Sequence, residues 1–235
     1  MKKILLGLGL VPLAIVGVGV GYFLHYGDEM ATAEFWESQI EAYEAADAER
    51  FPDQGLILFT GSSSIRLWST LEADMAPLGV LNRGFGGAHM SHVVHFADRI
   101  IEPYEARAIV VYAGDNDIGA DKTPATVAAD FRALVARVRE HQPTVPLYYL
   151  TIKASRLRWE LWPVMDETNR LIAEIAAQDP LIHIIDVSAP MIARGGGAIP
   201  PSDLFRFDGL HLSEEGYALW TSIVRERLLT DLGAD

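Results

Sequence analysis

The sequence predicts an α/β domain: a parallel sheet of about five strands, covered by helices on both faces and preceded by a transmembrane helix. Three observations carry this. Short apolar runs that do not alternate in polarity recur along the chain, as strands buried on both faces require. Segments with apolar residues at helical spacing separate them, the order of a βαβ chain. Ile4 to Leu24 holds no charged residue, and Tyr22 supplies its only polar side-chain atom. As a helix that run reaches roughly 30 Å, one hydrocarbon core.

Each element has its own signal. Phe35, Trp36, Ile40 and Tyr43 recur at helical spacing, so about 31–49 is a predicted helix. Pro52-Asp53-Gln54-Gly55 is a turn, and Leu56–Phe59 is a short buried strand ending just before Gly61. Val80–Asn82 is a second strand, followed by helical spacing over His89–Ile101. Ala108–Tyr112 is the clearest strand, apolar throughout and rich in β-branched residues. Thr123 caps a helix that has Pro124 in its first turn and runs to about His141. Pro146–Ile152 is a fourth strand, about 160–178 a helix, and Ile182–Ile185 a fifth strand. Ser213 caps the final helix, with Glu214 and Glu215 at its positive dipole end.

Composition narrows the function. The chain has 235 residues, 19 Lys and Arg against 32 Asp and Glu, and a formal charge of −13. That argues against nucleic acid as a partner, because phosphate binding needs clustered cations. With no cysteine, disulfides, thiolate metal sites and a Cys nucleophile are excluded. Lys2 and Lys3 precede the apolar run and Asp28 and Glu29 follow it, which sets the N-terminus inside and the remainder outside. Ala31-Thr32-Ala33 offers the alternative of a cleaved signal peptide, although the apolar run is longer than such segments usually carry. Gly17 and Gly21 form a G-x-x-x-G pair that chance explains in so glycine-rich a segment.

In a parallel sheet, chemistry gathers where strands end. After the first strand comes Gly61-Ser62-Ser63-Ser64, a candidate nucleophile turn or simply a helix cap. After the second comes Asn82-Arg83-Gly84-Phe85-Gly86-Gly87, whose glycines let backbone N–H groups approach an oxyanion or phosphate; no G-K-[ST] follows, so it is not a Walker motif. After the third comes Gly114-Asp115-Asn116-Asp117, where Asn116 can donate an amide and Asp117 can brace the loop. Near the C-terminus, Asp208 and His211 are three apart in one loop, so a carboxylate can fix an imidazole tautomer. Each segment alone has an ordinary turn-forming explanation. Together they supply every part of acyl transfer.

On these four segments the chain resembles the SGNH (GDSL-type) hydrolase family over about residues 55–228. The family's G-D-S block matches Gly61-Ser62-Ser63, with Ser62 at the Asp position, so this is a G-S-S variant. Trp68 fits the same register. The second-block glycine matches Gly87, G-x-N-D matches Gly114 to Asp117, and D-x-x-H matches Asp208 and His211. The resemblance implies a flavodoxin-like three-layer α/β/α sandwich. It implies Ser63 as nucleophile, His211 as base oriented by Asp208, and an oxyanion hole of the Ser63 N–H, the Gly87 N–H and the Asn116 amide.

The expectation is therefore a membrane anchor with linker over 1–30 and a hydrolase domain over 31–235, facing outward. No metal or organic cofactor is needed, and the partner is a small ester: an acetylated glycan, a lipid or a short-chain ester. Two other readings stand beside it. One is a catalytically silent binding module on the same fold. The other is a metal-dependent hydrolase using His89, His92 and His95, which recur at three-residue spacing but lack H-E-x-x-H. Arg156, Arg158, Trp159 and Trp162 follow the fourth strand, as a substrate-side loop or as a solvated helix start with core tryptophans. Arg66 and Arg83 sit inside the blocks, where they can brace loops by pairing with carboxylates.

Overall fold

The computed structural model describes residues 32–233. The predicted membrane segment Ile4–Leu24 lies outside them. Among the described residues no helix is long and apolar enough to cross a membrane.

After a 3₁₀ turn at Glu34–Trp36 the elements run α1 Glu37–Glu49, β1 Ile57–Gly61, α2 Ser63–Arg66, α3 Leu71–Met75, β2 Val80–Gly84, α4 Met90–His95, α5 Ala97–Ile100 and β3 Ala108–Tyr112. There follow α6 Asp115–Gly119, α7 Pro124–His141, β4 Leu147–Leu150, α8 Trp162–Ala176, β5 Ile182–Ile185, α9 Ser188–Arg194 and α10 Glu214–Leu232. The five strands form one parallel sheet in the order β2-β1-β3-β4-β5. That order is expected when successive crossovers are right-handed and the chain starts in the middle of the sheet. β1 and β3 are central and buried at every position.

Each face of the sheet has its own core. On one face Leu58, Ile109, Val111 and Tyr149 pack against Ile40, Val93, Phe131 and Ile172. On the other, Phe59, Val110, Tyr112 and Tyr148 pack against Trp68, Met191, Trp220 and Val224. Each aliphatic, Phe or Met side chain among them, fully buried, contributes about 1.5–3 kcal/mol. Helix α1 is tied down by polar contacts as well. Arg83 pairs with Asp47, stacks near the rings of Tyr43 and Tyr104, and donates to Tyr104 Oη at 2.7 Å.

Several elements differ from expectation for identifiable reasons. The predicted helix over His89–Ile101 is two helices, parted at Phe96, which sits at ψ 7° with its ring edge-on to Phe85. The fourth strand ends at Leu150, because Asn169 takes both backbone groups of Ile152: Oδ1 accepts from Ile152 N at 2.7 Å and Nδ2 donates to Ile152 O at 3.1 Å. The first two strands run two residues further than predicted, to Gly61 and Gly84, which face one another in register. Helices α3 and α9 are additional to the predicted elements. Thr123 and Ser213 cap α7 and α10 as predicted, accepting from Thr126 N and Gly216 N.

Candidate active site

The first block is shaped by Gly61. Its φ is +121°, and a Cβ there would lie 1.9 Å from the Tyr112 carbonyl oxygen, so only glycine fits between β1 and β3. Ser62 N then donates to that same carbonyl at 2.8 Å, and α2 begins at Ser63. The three serines have different surroundings. Ser62 is fully buried and its Oγ has no partner among the described residues. Ser64 Oγ accepts from Lys153 Nζ at 3.2 Å. Ser63 is half-exposed, and its Oγ lies 3.0 Å from His211 Nε2.

His211 is held from its other side. Its Nδ1 is 2.7 Å from Asp208 Oδ2, while Asp208 Oδ1 accepts from the amides of Leu210 and His211, both at 2.9 Å. Burial opposes ionisation of Asp208, but these bonds outweigh it and hold its carboxyl below the usual carboxylate range. A carboxylate on Nδ1 places the proton there and leaves the Nε2 lone pair facing the serine hydroxyl. The loop is closed by Arg206 N donating to His211 O at 2.8 Å and a bridge between Phe205 and Leu212.

The third block forms helix α6 rather than the expected loop. Asn116 Nδ2 donates to Ala88 O at 3.2 Å, which places it beside Gly87, itself at φ +58°. Gly87 and Asn116 are half-exposed, while Ala88, Asp115 and Asp117 around them are buried. The two buried carboxylates are braces. Asp117 accepts from Met90 N at 3.0 Å and from Lys122 Nζ at 2.9 Å, joining the third block to the start of α4; burial nonetheless raises its carboxyl above the ordinary value. Asp115 meets Lys153 Nζ at 2.9 Å and Tyr112 Oη at 3.2 Å. Burial resists its ionisation, yet Lys153 and Arg158 hold it down at about 2.

The segment after β4 is what sequence reasoning undervalued. Lys153 is 1% exposed and reaches Ser64, Tyr112 and Asp115, so it links the first and third blocks. Leu157 N donates to Gly209 O at 3.0 Å, linking the same segment to the loop of Asp208 and His211. Arg158 donates to Asp115 O at 2.9 Å and to Asn116 Oδ1 at 3.1 Å. The available signal was a lysine three residues past a wholly buried apolar strand, a position that demands a partner.

The remaining candidates divide. Arg83 braces its block through Asp47 as predicted, whereas Arg66 is exposed at the end of α2 and forms no such pair among the described residues. Trp159 and Trp162 are half-buried and stack on each other, and Arg156 donates to Pro200 O. His89 and His92 stack at 4.7 Å with planes 5° apart, so their in-plane nitrogen lone pairs lie in separate, nearly parallel planes and do not converge on one point. His95 is exposed against Phe96. Among the described residues no group of three or more His, Cys, Asp or Glu side chains could hold a metal ion.

The array thus presents a hydroxyl, an imidazole fixed by a carboxylate, and amide donors at one sheet edge. Such a set can pass a proton from hydroxyl to imidazole and stabilise charge on an oxygen. Residues 57–219 match a protein family described as the GDSL-like lipase/acylhydrolase family. Among curated proteins nothing matches the chain. Among solved structures, a candidate platelet activating factor from Streptococcus pneumonia is similar at a TM-score of 0.72 and 18% identity, over 92% of this chain and 99% of that one. The lipase/acylhydrolase from Enterococcus faecalis reaches 0.64 at 19% identity, over 78% and 99%. A carbohydrate esterase family 3 structure from Talaromyces cellulolyticus reaches 0.57 at 13% identity, over 76% and 97%. At such identities these likenesses show the fold alone.

Proposed function

Because the chain belongs to the GDSL-like lipase/acylhydrolase family, we propose that it is a serine esterase that cleaves carboxylic esters through an acyl-enzyme on Ser63. The observation that carries this is the relay from Ser63 Oγ to His211 Nε2 at 3.0 Å and from His211 Nδ1 to Asp208 at 2.7 Å. In this reading the G-S-S block places the nucleophile one residue after Ser62.

The Ser63 oxygen attacks the ester carbonyl while its proton passes to His211 Nε2. The carbonyl oxygen becomes an oxyanion held by the Ser63 N–H, the Gly87 N–H and one N–H of Asn116. The Ser63 N–H is the first of α2 and has no acceptor within the helix. When the tetrahedral species collapses, His211 returns the proton to the departing alcohol, leaving the acyl group on Ser63. Water then attacks that acyl carbon, giving up a proton to His211, and the acid leaves as Ser63 is reprotonated. Asp208 stays ionised and stabilises the imidazolium.

For the substrate we propose an ester outside the cytoplasm, on an envelope glycan or a lipid. The apolar run after Lys2 and Lys3 supports an anchor with the domain outside. Phe207 and Leu157 are 88% and 63% exposed on the segments that carry Asp208 and Arg158, which supports an apolar group at the rim. Hydrolysis of p-nitrophenyl esters of increasing acyl length, alongside acetylated sugars, tests activity and substrate class together. Turnover of none of them, with no labelling of Ser63 by a fluorophosphonate, would leave a silent binding module. For the anchor, an intact mass starting at Glu34 in the soluble fraction would replace it with a cleaved signal.

A further inference from the structure

Arg158 lies outside the four blocks, yet its guanidinium is fitted to one of them. Nη1 and Nη2 both lie 3.1 Å from Asn116 Oδ1, and Nη1 also lies 2.9 Å from the Asp115 carbonyl oxygen. The Asp115 carboxylate, 3.5 Å away, completes its surroundings, and the side chain is only 13% exposed. Room for it comes from Gly119, on the last turn of α6. That residue has no positive φ, but a Cβ there would stand 3.0 Å from Arg158 Cζ and Nε.

We propose that Arg158 is a positioning residue for ester hydrolysis, one that fixes which way the Asn116 amide faces; this rests on Asn116 being an oxyanion donor. A primary amide has one acceptor oxygen and two N–H donors. Here the oxygen is saturated by the guanidinium fork and one N–H is engaged by Ala88 O at 3.2 Å. The second N–H is left for the substrate oxygen. Turning the amide over would set its N–H groups against a guanidinium that has only donors, and its oxygen against the Ala88 carbonyl. Both contacts are repulsive, so one orientation survives. The two bonds to Oδ1 are charge-assisted, and they draw electron density toward the oxygen. That polarisation makes the remaining N–H a stronger donor, as hydrogen-bond chains do in a low dielectric. A lysine cannot fork in this way.

The test measures kcat, KM and melting temperature for Arg158→Ala, Arg158→Lys and Gly119→Ala, each also in an Asn116→Ala background. Arg158→Ala is expected to lower kcat about 10-fold or more, below the 10²–10³ of losing the donor itself, with little change in KM. Arg158→Lys restores part of that loss. Gly119→Ala, which keeps the guanidinium but crowds it, gives a smaller loss in the same parameter. In the Asn116→Ala background Arg158→Ala costs nothing further in kcat, because the residue acts through the amide. An equal loss in both backgrounds, or a loss confined to KM, overturns the proposal. A second readout does not depend on turnover. The Asn116 side-chain protons, followed by ¹⁵N NMR, are expected as two signals displaced from free-amide positions, the one bonded to Ala88 O protected from exchange, and both are expected to move toward free-amide positions with loss of that protection in Arg158→Ala. Signals unchanged by that substitution also overturn it. If instead Asn116→Ala leaves ester hydrolysis intact, it is the esterase reading of Asn116 that fails, while the NMR signals still decide what Arg158 holds.

Discussion

The Ser63 hydroxyl lies 3.0 Å from His211 Nε2 although 148 residues separate them in the chain. Packing on one face of the sheet sets that approach. Trp68, five residues past Ser63, is buried against Tyr217 at 5.3 Å and Trp220 at 6.0 Å, both on α10. Tyr217 Oη donates to Ser64 O at 3.0 Å. The C-terminal helix is thereby locked to the serine turn, and the loop preceding it delivers His211.

Ser63→Ala should abolish ester hydrolysis and fluorophosphonate labelling. Ser62→Ala, at a buried hydroxyl without a partner among the described residues, should retain both. Ser64→Ala loses one hydrogen bond from Lys153 and should retain most turnover. Labelling that persists in Ser63→Ala but disappears in Ser62→Ala would shift the nucleophile by one residue.

Asn116→Ala should lower kcat by on the order of 10² or more with little change in KM, since the lost donor meets charge that develops only during reaction. Melting temperature measured on the same preparation separates this from a turn-forming role. A destabilised variant with normal turnover per folded molecule would remove Asn116 from the oxyanion hole.

Lys153→Met should destabilise the fold by about 3 kcal/mol, the low end for breaking a buried pair, because it removes the nearest cation from the Asp115 carboxylate and leaves it the more distant Arg158 and the Tyr112 hydroxyl. At about 2–4 °C per kcal/mol for a chain of this size, the melting temperature should fall by at least ~6 °C. Adding Asp115→Asn removes the underpaired buried charge and should recover part of the loss. No recovery in the double variant would show that packing, and not the ion pair, is what Lys153 supplies.

Acid stability should carry a signature of His89. Burial, aided by Lys122 and Arg158, pulls its imidazole down to about 4, against 6.5 when unfolded. Between those values the unfolded chain takes up a proton that the folded chain refuses. Stability must therefore rise with pH across about 4 to 6.5 and be lost as pH falls through that window. In His89→Gln the melting temperature should vary less steeply there; an unaltered slope would assign the acid sensitivity to other groups.

Elements whose signal is local were legible before any tertiary contact is considered. Ala108–Tyr112 and Ile182–Ile185 are strands as predicted, the first an unbroken apolar, β-branched run buried at every position, the second an isoleucine-rich edge strand interrupted by His183 and buried only at its two ends. The Thr123 and Ser213 caps are local in the same sense, each bonding an amide three residues on. The candidate site residues were legible as four short blocks because each carries its own chemistry within a few adjacent residues. Tertiary structure alone decided the rest. Three adjacent serines have the same chemistry, and only the arrival of His211 and Lys153 gives them different partners. The end of β4 was set by Asn169, 17 residues from the Ile152 it bonds, and the surroundings of Asn116 by Arg158, 42 residues away. Periodicity and propensity describe what a residue does with its near neighbours, whereas a hydrogen-bond partner that distant exists only once the sheet has brought the strand ends together.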